Sequence, residues 1–190
     1  DNIQKIYWRN SKLDFNSIDN LLFSLKKYPI HNYFIHKKNA LDEINLHNLI
    51  ADSEIKKLLS SKKNLKLLWN ICQIPDFEKL SNDNYLLLLK DIYLILVEND
   101  YNIPEEWIKK KVSRLNHFGG GISELTIKIS QIRTWTYISN NHEWFQNSNY
   151  WKEKTQKIES ELSDHLHDSL TKKFIDYSSK FFIGHKNFQN

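Results

Sequence analysis

The sequence predicts an all-α protein, a helical bundle of about seven helices whose last member is long. Three observations carry this. Apolar residues recur at helical spacing nearly throughout the 190 residues, and sustained strand-like alternation is missing. Breakers fall between the periodic segments, at Pro29, Pro75, Pro104 and Gly119–Gly121. The 40% hydrophobic content and six tryptophans supply enough apolar surface for a core.

The elements follow in order. Ile18, Leu21, Leu22 and Leu25 form a short amphipathic stripe, with Asp14, Asn16 or Ser17 as N-cap. Tyr28-Pro29 ends it, because the residue before proline avoids helical backbone angles. Residues 30–38, IHNYFIHKK, read as an extended connector with room for a short strand. Helical spacing resumes at Leu41, Ile44, Leu49 and Ile50. It restarts at ADSE, capped by Asp52 or Ser53, with Ile55, Leu58 and Leu59 inward. A further helix is expected from about Leu65 to Ile74, stopped by Pro75. Residues 83–98 are apolar on more than one face, which predicts a central position.

NIPEEW is a helix start. Proline suits the first turn, and Glu105 and Glu106 suit the positive end of the helix dipole. Ile108, Val112 and Leu115 form its stripe, and HFGGGIS breaks it. The next helix is expected from about Ser123 to Ser139, with Ile122, Leu125, Ile129 and Ile132 on one face. After the polar NNHEWFQNSN loop, the last helix should run from about Tyr150 to Tyr177, with Ile158, Leu162, Leu166, Leu170 and Phe174 in register. Phe181 and Phe182 in the tail suggest continuation. The expected organisation is an N-terminal helical segment over 1–62, a bundle over 63–180 and a truncated tail over 181–190. The absence of methionine and the start at Asp1 fit an internal piece of a longer protein.

Several chemistries find no support. Gly119–Gly121 lacks the spacing and the following Lys-Ser/Thr of a phosphate-binding loop. His165 and His167 fall on different sides of a helix, and one cysteine cannot build a cysteine-based zinc site. Cys72 sits in an apolar helix end, as a structural thiol would. Glu105-Glu106 reads as a helix first turn, and Glu159 with Glu161 as a solvated face. The longest apolar runs are too short to span a bilayer, and no signal-peptide pattern is visible. The single cysteine fits a reducing, cytoplasmic compartment.

Basic patches remain. The net charge is +4. Lys56, Lys57, Lys62, Lys63 and Lys66 share a window without acids. A second window holds Lys109, Lys110, Lys111, Arg114, Lys128 and Arg133 against Glu124 alone, with Trp107, Trp135 and Tyr137 interleaved. Positive charge attracts phosphate, and rings or guanidinium planes stack on unpaired bases. A solvated helix face with core tryptophans would look the same. Only three arginines stand beside twenty-four lysines, so each arginine carries weight. Arg133 lies near the buried edge of its stripe, where it would pair within the chain.

Four segments carry a family resemblance: YWRNSKLDFNSIDNLLFSL, LLWNICQIPDFEK, ISQIRTWTYISN and ESELSDHLHDSLTKKFID. Together they resemble the C-terminal part of the alphaproteobacterial Suv3-like RNA helicases, superfamily 2 DExH/D-box enzymes. The resemblance runs with gaps from about Tyr7 to Asp176. QIPDF and IRTWTY are its most specific pieces. It implies an ATP-dependent RNA helicase as parent, with ATP and Mg bound upstream and no catalytic residue in this chain. It implies a helical accessory region packed on the RecA-like domains of the same polypeptide, touching single-stranded RNA and working beside an exoribonuclease. Lys109, Lys110, Lys111, Arg114, Lys128 and Trp135 are then the expected RNA contacts. Arg133, Trp69 and Asp76 are the expected structural anchors. A purely structural or protein-interaction bundle is the alternative.

Overall fold

The structure is a computed structural model. It describes residues 6–31, 33–37 and 40–185, with side chains through residue 175. Eight α-helices and two short strands lie among the described residues. They fall into two compact units, one formed by Asp1–Ile74 with Leu80–Asp100, the other by Pro75–Lys79 with Tyr101–Asn190.

The first unit opens with β1 (Ile6–Trp8), α1 (Ile18–Leu25) and β2 (Phe34–His36). The strands pair in parallel, Ile6 opposite Phe34 and Trp8 opposite His36. Parallel pairing needs a crossover, and α1 lies on it. The expected connector over 30–38 thus contains a strand; Asn32 and Lys38 within it lie outside the described residues. Its partner β1 was not expected, because three residues are too few to show alternation. Ser17 caps α1, its hydroxyl accepting from Asn20 N.

Helices α2 (Leu41–Ala51), α3 (Ser53–Leu58), α4 (Lys62–Cys72) and α5 (Asn82–Glu98) complete this unit. Asp52 caps α3, accepting from the backbone N–H groups of Glu54 and Ile55. Leu46, Leu49, Ile55, Leu65, Leu68, Ile71, Leu89, Ile92 and Leu96 form the core.

Two expectations need correction here. The buried face of α2 is Asn45, Leu46 and Leu49, while Leu41 and Ile44 face out. Asn45 is inside because its side-chain amide donates to Cys72 O, one of the carbonyls that the end of α4 leaves without a helical partner. Helix α5, in turn, buries one stripe with Tyr85 and Tyr93 and leaves Leu87 exposed, so it is not apolar-packed all round. Tyr85 reaches across to donate to Ile74 O.

The second unit holds α6 (Glu105–Ser113), α7 (Ile122–Ser139), a 3-10 turn at His142–Trp144 and α8 (Ser148–His185). Helices α7 and α8 pack along one another. Leu125, Ile129, Ile132, Trp135 and Ile138 meet Trp151, Ile158 and Leu162 in this unit's core. Ile103 N donates to Trp144 O at 2.8 Å, which ties the approach to α6 to the 3-10 turn. Helix α8 has 38 residues and α7 has 18, so α8 outruns its partner by about 30 Å. The expected stripe on α8 is buried only at Ile158 and Leu162. Leu166 is half-buried, and Leu170 and Phe174 are 47% and 78% exposed. The side chains of Phe181 and Phe182 lie outside the described residues.

Candidate nucleic-acid interface

The expected RNA contacts share the second unit but not one surface, and the basic window over Lys56–Lys66 lies in the first unit. Helix α6 is short and begins after Pro104, whose extended backbone sets the N-cap. Ile108 and Val112 bury one side of it. The opposite side carries Lys109, Lys110 and Arg114, all exposed. Lys109 pairs with Glu106 at 3.3 Å, a contact between two exposed chains that contributes little. Among the described residues no carboxylate pairs with Lys110 or Arg114. Both stand in the last turn or at the C-cap, where positive charge also complements the helix dipole.

Trp135 sits elsewhere than expected. It is buried, packed edge-on against Trp107 with centroids 5.6 Å apart. A ring so enclosed presents no face to a base, so Trp135 is a core residue and not an RNA contact. Trp107 is the half-buried, outer member of the pair. Lys111 holds its ammonium 5.1 Å from the Trp107 ring centroid, an arrangement that favours the cation.

Lys128 is also reassigned. Its side chain is only 12% exposed. Its ammonium donates to His117 O and Gly119 O, each at 3.0 Å, and pairs with Glu124 at 2.7 Å. All three ammonium protons have partners, so Lys128 has none to offer a phosphate. It clamps the glycine loop, and it holds the Glu124 carboxyl below the usual range. Gly120 lies at φ +124°, and a Cβ there would run into the Glu124 carboxylate.

Arg133 donates from Nε to Glu159 Oε1 at 3.1 Å, linking α7 to α8 as an intramolecular anchor would. Its side chain is 51% exposed, so the link is a half-exposed pair at the surface. Trp69 is buried, and the Arg9 guanidinium lies 5.7 Å from its ring centroid. Arg9 also reaches Asp42 Oδ2 at 2.7 Å and Glu43 Oε1 at 3.4 Å. The anchoring arginine that sequence reasoning missed is therefore Arg9. Its signal was the scarcity of arginine, followed through only at Arg133.

Asp76 is half-buried close to Glu78. Burial first, and then the charge of Asp76, push the Glu78 carboxyl up, against the hydrogen bond from Gln131 at 3.1 Å. Burial pushes the Cys72 thiol far up, out of the range of a reactive thiolate.

A shallow groove of about 530 Å³ opens along α8 beside the loop after α6. Phe118, Tyr150, Lys154 and Lys157 line it, with Glu153 and Glu161. The sequence places Ile158 in the α8 stripe and Glu161 on a solvated face, and marks none of the lining residues as a binding residue. Among the described residues no group of three or more His, Cys, Asp or Glu could hold a metal ion, and no helix is long and apolar enough to cross a membrane. No family model matches the chain, and no curated protein or solved structure is significantly similar to it.

Proposed function

We propose that this chain is the helical accessory region of an ATP-dependent RNA helicase of the Suv3-like kind. In this reading it contacts single-stranded RNA and packs on the RecA-like domains, which would bind ATP and Mg, and it carries no chemistry of its own. The observation that supports it best is the outer face of α6. Lys110 and Arg114 stand there exposed, without a carboxylate partner among the described residues, next to the half-buried Trp107. Cations of this kind suit phosphates, and the neighbouring indole suits a base. The sequence resemblance to the helicase C-terminal region gives the second support. Recruitment of an exoribonuclease and work in the cytoplasm belong to the same proposal.

The test is anisotropy of a labelled single-stranded RNA at 50 and 200 mM salt. Binding should be weak and fall with salt, and Lys110→Ala with Arg114→Ala should flatten the log–log salt slope by about 1.4, two contacts at about 0.7 each. Binding that is absent at 50 mM salt, or insensitive to salt, would refute it.

A protein-interaction role is the second reading. Its support is the outer half of α8, where Leu170 and Ile175 are exposed. If it holds without RNA contact, the same double substitution leaves RNA behaviour unchanged.

A further inference from the structure

We infer that the groove along α8 is a subsite for one unpaired nucleotide, with the base against Phe118 and Tyr150 and the phosphate at Lys154 and Lys157. The inference rests on the RNA reading above and names a surface different from the α6 face.

The groove comes from helical spacing. Tyr150, Glu153, Lys154, Lys157, Ile158 and Glu161 recur every three or four residues, so they share one face of α8. The loop after α6 supplies the other wall with Phe118, whose ring stacks on His165 at 5.3 Å and 9° between planes. That stack fixes the wall without the help of a ligand. The Lys128 clamp on His117 O and Gly119 O fixes the loop on both sides of Phe118. The volume of about 530 Å³ lies in the range that holds small organic ligands, roughly 300–1,000 Å³.

The lining chemistry narrows the occupant. Lys154 donates to Tyr150 Oη at 2.9 Å and lies about 5 Å from the centroids of both Tyr150 and Trp151. Its position is set, and two ammonium protons remain for an incoming oxygen. Lys157 pairs with Glu161 only at 3.9 Å, and both side chains keep substantial exposure. A bare anion would meet Glu153 and Glu161 as well as the lysines, and a purely apolar ligand would meet four charges. A nucleotide satisfies both sets. Its base and ribose offer N–H and O–H donors to the carboxylates, its ring has a face for the aromatics, and its phosphate sits at the lysines. RNA sites of this kind stack unpaired bases on aromatic side chains.

The experiment uses the full chain with a uridine hexanucleotide that carries one 4-thiouridine. Crosslinked peptides are mapped by mass spectrometry, and affinity is measured by anisotropy. Crosslinks should fall on the segments holding Phe118 and Tyr150. Tyr150→Leu should weaken binding about tenfold, the size of one lost stacking contact, while Tyr150→Phe keeps most of it. Lys157→Ala should weaken it several-fold, with circular dichroism unchanged for each variant. Binding of the hexanucleotide with crosslinks confined to α6, and full affinity in Tyr150→Leu and Lys157→Ala, overturns the groove and leaves the α6 reading standing. No binding at low salt by the unaltered chain overturns both.

Discussion

Removing the Arg9 guanidinium should cost more stability than removing either other arginine. Arg9 leads from β1 toward α2 and α4, with Nη1 2.7 Å from Asp42 Oδ2 and Nη2 3.4 Å from Glu43 Oε1. Its side chain is 29% exposed and the two carboxylates are about half as exposed. The short contact to Asp42 is a charge-assisted hydrogen bond, about 1.5–3 kcal/mol. The stack on Trp69 adds about 0.5–1 kcal/mol. Arg9→Ala also leaves two neighbouring, poorly solvated carboxylates facing each other without a cation. A fully buried pair broken on one side costs about 3–5 kcal/mol. Partial exposure discounts that figure, so the expected loss is about 2–3 kcal/mol. Arg9→Lys keeps the charge but loses the planar fork and the stack, and should fall about midway. Urea unfolding followed by tryptophan fluorescence measures both, with the slope checked for constancy. A loss under about 0.5 kcal/mol for Arg9→Ala would show that the joint is solvated and that the geometry carries little energy. Arg133→Ala is the internal control. Its pair with Glu159 is half-exposed, so it should lose at most about 1 kcal/mol.

Lys128→Ala should free the glycine loop, seen as faster amide exchange over 117–121 and a stability loss of about 1–2 kcal/mol; unchanged exchange would refute the clamp. Asp52 is held below its ordinary range chiefly by the Lys90 hydrogen bond, with help from the Ile55 and Glu54 N–H groups. Its contribution is therefore complete above about pH 4 and is lost as pH falls through its lower folded value, so Asp52→Asn should flatten the acid limb of the stability profile. Glu78 is shifted the other way, so its protonated form favours the fold below about pH 4 and that help fades as pH rises through its raised folded value. Glu78→Gln should accordingly stabilise at pH 7 more than at pH 4, and an equal effect at both would count against it. Cys72 should resist a thiol reagent in the folded chain and react on unfolding.

Most helices were legible because apolar periodicity survives wherever a helix packs on one side. The failures have distinct physical causes. Asn45 fell outside the apolar pattern over Leu41–Ile50, because polarity marks the outside only until a buried carbonyl needs a donor, and Cys72 O is 27 residues away along the chain. Trp135 looked like a stacking platform because spacing cannot say which indole of a pair lies outermost. Lys128 looked free because two of its three acceptors are backbone carbonyls, which carry no sequence signal; only the third, Glu124 four residues earlier, was legible. The groove was invisible for a related reason. One wall comes from α8 and the other from a loop more than thirty residues earlier, and only the fold brings them together.

The stripe on α8 shows how a correct pattern can still mislead about burial. Ile158, Leu162, Leu166, Leu170 and Phe174 are each four residues apart. Four residues turn a helix about 40° past a full revolution, so each step rotates the stripe the same way around α8. Between Leu162 and Phe174 the rotation is about 120°, enough to carry the line away from a straight neighbour. A stripe spaced alternately by three and four would have stayed on one side. The observed burial follows that geometry, complete at Ile158 and Leu162, partial at Leu166, and low at Leu170 and Phe174. The shortness of α7 acts in the same direction, since α8 continues past the length that α7 can cover. Rotation and overhang predict different responses. Moving the apolar residue from 166 to 165, by His165→Leu with Leu166→Ser, tests rotation, at the loss of the Phe118–His165 stack. If rotation dominates, residue 165 gains burial and amide protection extends through 166–170. If overhang dominates, the protection boundary stays where it is in the unaltered chain, and the winding of the stripe is not what ends the packing.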